Sequence, residues 1–209
     1  MKQGWIKPIF ILILAFPMAA AAMEIQPARG KENVERSVVL QEDKAAGNHK
    51  PSLQNISIRA TFSSSDVIGK VAPEEFREYD LAATFRLPWS RYSATGWGVG
   101  TGLMVGLGAL CSSGEAGLAL SLLPLAVFGH RDGGVSLDLG AGGAALSRYQ
   151  FGEQDFGSPF QFALTAGLSV PIFRHVGVGY RFLHYSDAGL NGADTTGADL
   201  HMVELLYLF

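Results

Sequence analysis

The chain of 209 residues has one cysteine, Cys111, which excludes an internal disulfide and any cysteine-based metal cluster. It has no surplus of basic residues: 16 Lys and Arg stand against 19 Asp and Glu, a balance that does not suggest a nucleic-acid binder. It also lacks the run of about 20 apolar residues that a membrane-spanning helix needs. Trp97 to Leu110 and Leu118 to Phe128 are apolar but too short, and the first has glycine at nearly every second position, which weakens a helix. The same glycine run, Gly96 to Gly108, lacks the Lys and the helix of a phosphate loop. Met23 to Asn55 contains no aromatic residue and is dense in charge and amides. Such a segment buries too little apolar surface to offset its ordering entropy. Residues 23–55 are therefore expected to form a flexible polar lead, with Val38-Val39-Leu40 its one stretch suited to a short strand or plug.

What precedes that lead reads as a secretory signal over residues 1–22. Lys2 and Lys7 flank the short apolar run Ile9 to Phe16, and Ala20 and Ala22 fit an A-x-A cleavage site. No Cys stands at that site for lipidation. Cleavage removes two Lys and no acid, leaving 14 basic against 19 acidic residues.

From Ile56 the pattern changes to strict alternation. Ile56, Ile58, Ala60 and Phe62 alternate with Ser57, Arg59, Thr61 and Ser63. Similar segments follow at 79–87, 97–108, 118–128, 135–142, 160–170, 176–186 and 199–209. A period of two marks strands, and eight of them, an even count, suit a closed antiparallel barrel over residues 56–209. One row of each strand is bulky and apolar. The other is mostly Gly, Ala, Ser and Thr with scattered charge. An eight-stranded barrel is only just wide enough inside for side chains, so the small row belongs inside and the bulky row outside, against lipid. Arg59, Asp80, Arg86, Asp138, Arg181 and Glu204 are then expected to pair within the lumen, because lone buried charges are costly. A secretory signal plus a lipid-facing barrel implies an eight-stranded antiparallel transmembrane β-barrel of the bacterial outer membrane. Both ends and the short turns would lie in the periplasm, with the longer loops outside.

The last hairpin, Tyr180 to Phe209, holds the chemistry. His184 and Ser186 share a face with Val176, Val178, Tyr180 and Phe182. On the final strand Asp199 and His201 share a face with Val203, Leu205 and Tyr207. Pairing of the two strands puts a Ser, a His and a carboxylate on one surface, the arrangement of nucleophile, base and orienter that is recognised by geometry and not by order. The site falls beside the last outer loop, on the lipid-facing side at the level of the outer leaflet. Other chemistry is weaker. Asp187, Asp194, Asp199 and Asn191 offer oxygen ligands of calcium type, but Gly and Asp are ordinary turn formers, and no metal or other cofactor is expected. His49, His130, His175 and His201 suggest no shared site.

The stretch His184-Tyr185-Ser186-Asp187-Ala188-Gly189-Leu190 resembles the H-Y-S-N-A-G signature of the outer-membrane lipid A 3-O-deacylases, the PagL-like family. The resemblance implies that His184 is the general base and Ser186 the nucleophile. It also implies that Asp199, where the family has Glu, orients the His, and that the Gly189 backbone N–H helps form the oxyanion hole. Asp187 stands where the family has an Asn whose amide donates to the oxyanion. An ionised Asp accepts only, so this position departs from the pattern. The implied activity is cofactor-free hydrolysis of an acyl ester of lipid A, with lipopolysaccharide as substrate, membrane lipid as surroundings, and a homodimer left open. Two other readings compete. One is a non-catalytic barrel serving adhesion or envelope integrity, which Asp187 favours. The other is a lipid A acyltransferase barrel, which the outward row of His184 and Ser186 disfavours because such enzymes are expected to work from the lumen.

Overall fold

A computed structural model of the protein describes residues 50–65, 73–192 and 195–209. The expected signal, most of the polar lead with its Val38-Val39-Leu40 stretch, and Asp194 lie outside the described residues. Among the described residues ten strands are formed: β1 (Ser52–Ser65), β2 (Arg77–Tyr92), β3 (Trp97–Ser112), β4 (Glu115–His130), β5 (Ser136–Leu146), the two-residue β6 (Gln150–Phe151) and β7 (Gln154–Asp155), then β8 (Phe160–Phe173), β9 (Val176–Ser186) and β10 (Ala198–Leu208). Eight of them make a closed antiparallel barrel in the order β1-β10-β9-β8-β5-β4-β3-β2. Among the described residues no helix is long and apolar enough to cross a membrane, and strands of 11 to 16 residues meet the 9–11 that a tilted spanning strand requires.

The strands run further than their alternation predicts. β1 begins at Ser52, four residues inside the stretch expected to be polar lead. β4 runs through Pro124, where the β4–β5 ladder skips from Leu122↔Gly143 to Leu125↔Gly140, as expected of a residue with no N–H to give. β3 and β4 meet in a two-residue turn, Ser113 and Gly114, at φ 51° and 75°, the left-handed pair that tight hairpins favour. The other connections at this end, 66–76, 147–159 and 187–197, are long. At the opposite end lie the turns 93–96, 131–135 and 174–175, and there the N–H of Phe209 donates to Gln54 O at 3.1 Å. This end is called the terminal end below, and the other the loop end.

The bulky rows face outward, as the alternation predicts. Leu81, Leu107, Leu120, Leu139, Leu164 and Leu205 are exposed on the outer wall, while Ala82, Met104, Ala119, Ser121 and Ala163 are buried inside. Arg59, Asp80, Asp138, Arg181 and Glu204 form one network of buried charge. Arg59 donates through Nε and Nη2 to Asp80 at 2.6 and 2.5 Å. Arg181 donates to Glu204 at 2.6 Å, to both oxygens of Asp138 at 2.7 and 3.1 Å, and to Thr165 at 3.0 Å. Arg59 Nη1 also lies 3.9 Å from Glu204. Gly106 and Gly167 make room for the two guanidinium groups: a Cβ there would lie 2.8 Å from Arg59 Nη2 and 2.5 Å from Arg181 Nη2.

Two expectations about the interior are corrected. Arg86 does not join the network. It sits exposed in the open mouth at the terminal end, a cavity of about 440 Å³, and makes no ion pair among the described residues. Its height on β2 is the reason: it pairs with Gly102 near that mouth, six residues along the strand from Asp80. Nor is the interior only small and charged. Leu110, Leu146, Leu183, Leu200 and Met202 fill it toward the loop end, and Phe76, Phe151 and Phe156 close over them. These three rings meet edge to face at 5.3–6.2 Å, a favoured aromatic geometry.

Candidate functional site

The last turn of the β9–β10 hairpin brings His184 and Asp199 together. They are direct partners across the ladder, and opposed residues in an antiparallel pair sit close enough that a short side chain bridges them. His184 Nδ1 lies 2.5 Å from Asp199 Oδ1. A carboxylate accepts only, so Nδ1 carries the proton of this bond; in the neutral ring the lone pair is then on Nε2, the tautomer a general base needs. Asp199, one methylene shorter than the Glu of the resembled family, reaches because the register places it directly opposite.

Both side chains belong to outward rows, below which Tyr180, Val203 and Leu205 are exposed. Yet His184 is 9% and Asp199 2% exposed. The pair is on the barrel's outer wall and is shielded there. Ser186 follows His184 on the same row and is half-buried. Its Oγ accepts the Ala188 N–H at 3.1 Å, and no hydrogen bond joins it to His184. Hydroxyl and imidazole are neighbours on one face, with the hydroxyl turned toward the loop. Catalytic hydrogen bonds are often loose before substrate binds.

The loop after Ser186 is organised by Asp187. Its Oδ1 accepts the Gly189 N–H at 2.8 Å, and its Oδ2 accepts the Asn191 N–H at 3.0 Å and the Thr195 hydroxyl at 2.9 Å. Burial pushes this carboxyl up, but the Gly189, Asn191 and Thr195 donors outweigh it and hold the group below the ordinary aspartate value. A lowered value stabilises the folded loop at pH above the unfolded value of about 3.9, and that contribution is lost as pH falls through the folded one. The Gly189 N–H, expected as an oxyanion donor, is thus engaged by Asp187. Ala188 and Gly189 are both left-handed, at φ 55° and 78°. For Ala this is an uncommon conformation of the kind that collects at functional sites.

Gly197 closes the loop against β9. A Cβ there would lie 2.0 Å from Tyr185 O and 3.2 Å from Ser186 Cβ. Gly197→Ala is expected to push β10 off the end of β9 and cost about 1–3 kcal/mol, the usual range for overpacking. A lower urea midpoint for the refolded protein checks this.

Of the other residues singled out from sequence, Asp187 and Asp199 are committed to different partners and do not converge as calcium ligands, and Asp194 lies outside the described residues. His201 shares no site with the other scattered histidines among the described residues. It is hydrogen-bonded through Nδ1 to Tyr180 Oη at 2.7 Å, with the Phe62 and Phe182 rings tilted against it on the outer wall just below Asp199. Period two put Tyr180 and Phe182 on one face and His201 on its partner's matching face, but the strand register was needed to join them. Gln154, beside the site, had no sequence signal: it lies in a two-residue strand within a loop.

A family model described as lipid A 3-O-deacylase (PagL) matches residues 77–207. No curated protein matches the chain. Among solved structures, the crystal structure of the outer membrane enzyme PagL superposes with a TM-score of 0.60 at 19% identity, over 74% of this chain and 99% of that one. The Yersinia pestis outer membrane protein Ail in a phospholipid bilayer nanodisc gives 0.45 at 17% identity, over 76% and 99%.

Proposed function

The chain belongs to the lipid A 3-O-deacylase (PagL) family, and from that premise we propose that it is an outer-membrane serine esterase that hydrolyses the 3-O-linked acyl ester of lipid A. The observation that carries the proposal is the His184–Asp199 hydrogen bond of 2.5 Å on the outer wall, two residues from Ser186. Substrate lipid would approach from the side, within the outer leaflet.

Ser186 Oγ turns from the Ala188 N–H toward His184 Nε2, which takes its proton as the oxygen attacks the ester carbonyl. Asp199 holds the imidazole in the right tautomer and stabilises the imidazolium. The protonated Nε2 then gives its proton to the departing sugar oxygen. Water, activated by the same nitrogen, releases the fatty acid and restores Ser186. The turn of Ser186 frees the Ala188 N–H beside the reacting carbonyl, a suitable oxyanion donor. The Gly189 N–H serves only if it leaves Asp187.

Asp187 is the weak point of the oxyanion hole, since its fixed negative charge opposes the charge developing next to it. Asp187→Asn is expected to raise the deacylation rate about tenfold, part of the 10²–10³ that one oxyanion donor is typically worth. The rest is offset by loss of the acceptor for Asn191 and Thr195. The competing reading, a non-catalytic barrel for adhesion or envelope integrity, draws on this same residue. Mass spectrometry of lipid A from cells expressing wild type or Asp187→Asn decides between them. Loss of one acyl chain supports the esterase. Intact lipid A with both proteins folded in the outer membrane leaves the non-catalytic barrel.

A further inference from the structure

The site loop does not stand alone: the β5–β8 connection is latched onto it. Gln154 is 1% exposed, and its side-chain amide donates to Thr196 O at 3.2 Å and to Gly197 O. The Thr196 N–H donates to Asp155 O at 3.0 Å. Gly157, at φ 80° and held by its N–H on Asp155 Oδ1 at 2.7 Å, lies so close to the site loop that a Cβ there would be 2.6 Å from both Asn191 Cβ and Thr195 Cγ2. The latch is rigid from below, since Phe151 and Phe156, on either side of it, are fully buried in the aromatic plug.

We propose that Gln154 is a positioning residue for the deacylase site, which fixes the Thr196–Gly197 backbone and through it the approach of Asp199 to His184. The inference rests on the esterase reading and deepens it. Gly197 is the point of transmission. A Cβ on it would lie 3.2 Å from Ser186 Cβ, and it precedes Asp199 by two residues. The arrangement also has a cost that packing alone does not explain. Among the described residues Gln154 Oε1 is buried without a partner, an arrangement that native interiors usually avoid, whereas an apolar side chain in the same space would leave no such orphan. What the amide supplies in return is its pair of bonds to the two carbonyls that lead into β10. An orienter displaced by about an ångström loses rate steeply.

Gln154→Met keeps the bulk and removes the donor. Gln154→Asn keeps the amide but falls one methylene short, and it serves where the methionine variant fails to fold. Folded barrel is scored by heat-modifiable migration on a gel. Two measurements follow, in purified protein with lipid A. In the first, the variant is expected to lower kcat on the order of tenfold to a hundredfold with KM nearly unchanged. In an Asp199→Ala background the same substitution is expected to cost less than about twofold, because the group it acts through is gone. A role in packing alone would multiply the two losses. In the second, proton NMR follows the His184 Nδ1–H, which a short bond to a carboxylate places far downfield. That resonance is expected in wild type and expected to be lost or moved upfield in the variant. An unchanged resonance with unchanged kcat, or fully multiplicative losses, overturns the proposal. A wild type that leaves lipid A intact while its downfield resonance still depends on Gln154 removes the esterase reading and leaves the positioning of the pair in place.

Discussion

Ser186→Ala is expected to abolish release of the acyl chain from lipid A, a loss on the order of 10⁴ or more, while the barrel folds as before. In the proposed mechanism the hydroxyl is the nucleophile, and among the described residues its hydrogen bond in the resting site is the contact from Ala188. It stands at the end of β9 on the outer row, away from the charge network and the aromatic plug. Nothing that closes the barrel depends on it. His184→Asn is expected to match it, since no other group beside Ser186 offers a free basic nitrogen. Asp199→Ala is expected to leave more activity, because an orienter acts through the base and not on the substrate. The readouts are lipid A mass spectrometry for the reaction and heat-modifiable migration for the fold. Retained deacylation in Ser186→Ala would remove this residue from the mechanism.

The largest stability effect is expected at Arg181. Its guanidinium is shared by Asp138 and Glu204, with Thr165 as a further acceptor. Arg181→Ala leaves buried Asp138 without its cation and Glu204 with only Arg59 at 3.9 Å, and breaking a buried pair in this way costs about 3–5 kcal/mol. Arg86→Ala is the matched control. It removes the same charge from the same lumen, at a solvent-exposed site with no ion pair, where changes usually stay within about 0.5 kcal/mol. Urea titration of both variants refolded into vesicles, followed by tryptophan fluorescence, gives the comparison. Equal midpoints would show that the network is not what holds the interior.

Much of the fold was legible because lipid and lumen impose opposite demands on alternate residues. Leu103 beside Gly102, Leu164 beside Ala163 and Leu205 beside Glu204 each read outward and inward without any knowledge of neighbours. The eight-stranded barrel followed from that rule alone. Partner choice did not follow, because alternation says which side a residue faces and not how high it stands. Arg86 faces the lumen like Arg59, yet register leaves it near the terminal mouth while Arg59 meets Asp80. Phe76, Phe151 and Phe156 were missed for a related reason: they sit in or beside loops, where no period marks a buried face.

The site divides in the same way. His184 and Asp199 were legible because a tight ladder fixes which residues oppose each other once two strands are read. The use made of Asp187 was not. Its identity announced a missing amide donor, but only the folded loop shows that the carboxylate gathers Gly189, Asn191 and Thr195 around itself. Gln154 was silent, since two-residue strands have no pattern to read and its effect passes through backbone carbonyls that every residue possesses.

The place of Asp199 in the ladder joins assembly to chemistry. Its Cα neighbours are His184 on β9 and Ser65 on β1, so the strand that supplies the acid is also the strand that seals the cylinder. Before that seam closes, the hairpin alone can set the acid opposite its imidazole, but the β1 backbone that flanks Asp199 on its other side is missing. A lesion that keeps β10 from zipping onto β1 is therefore expected to weaken the proposed deacylation together with the barrel.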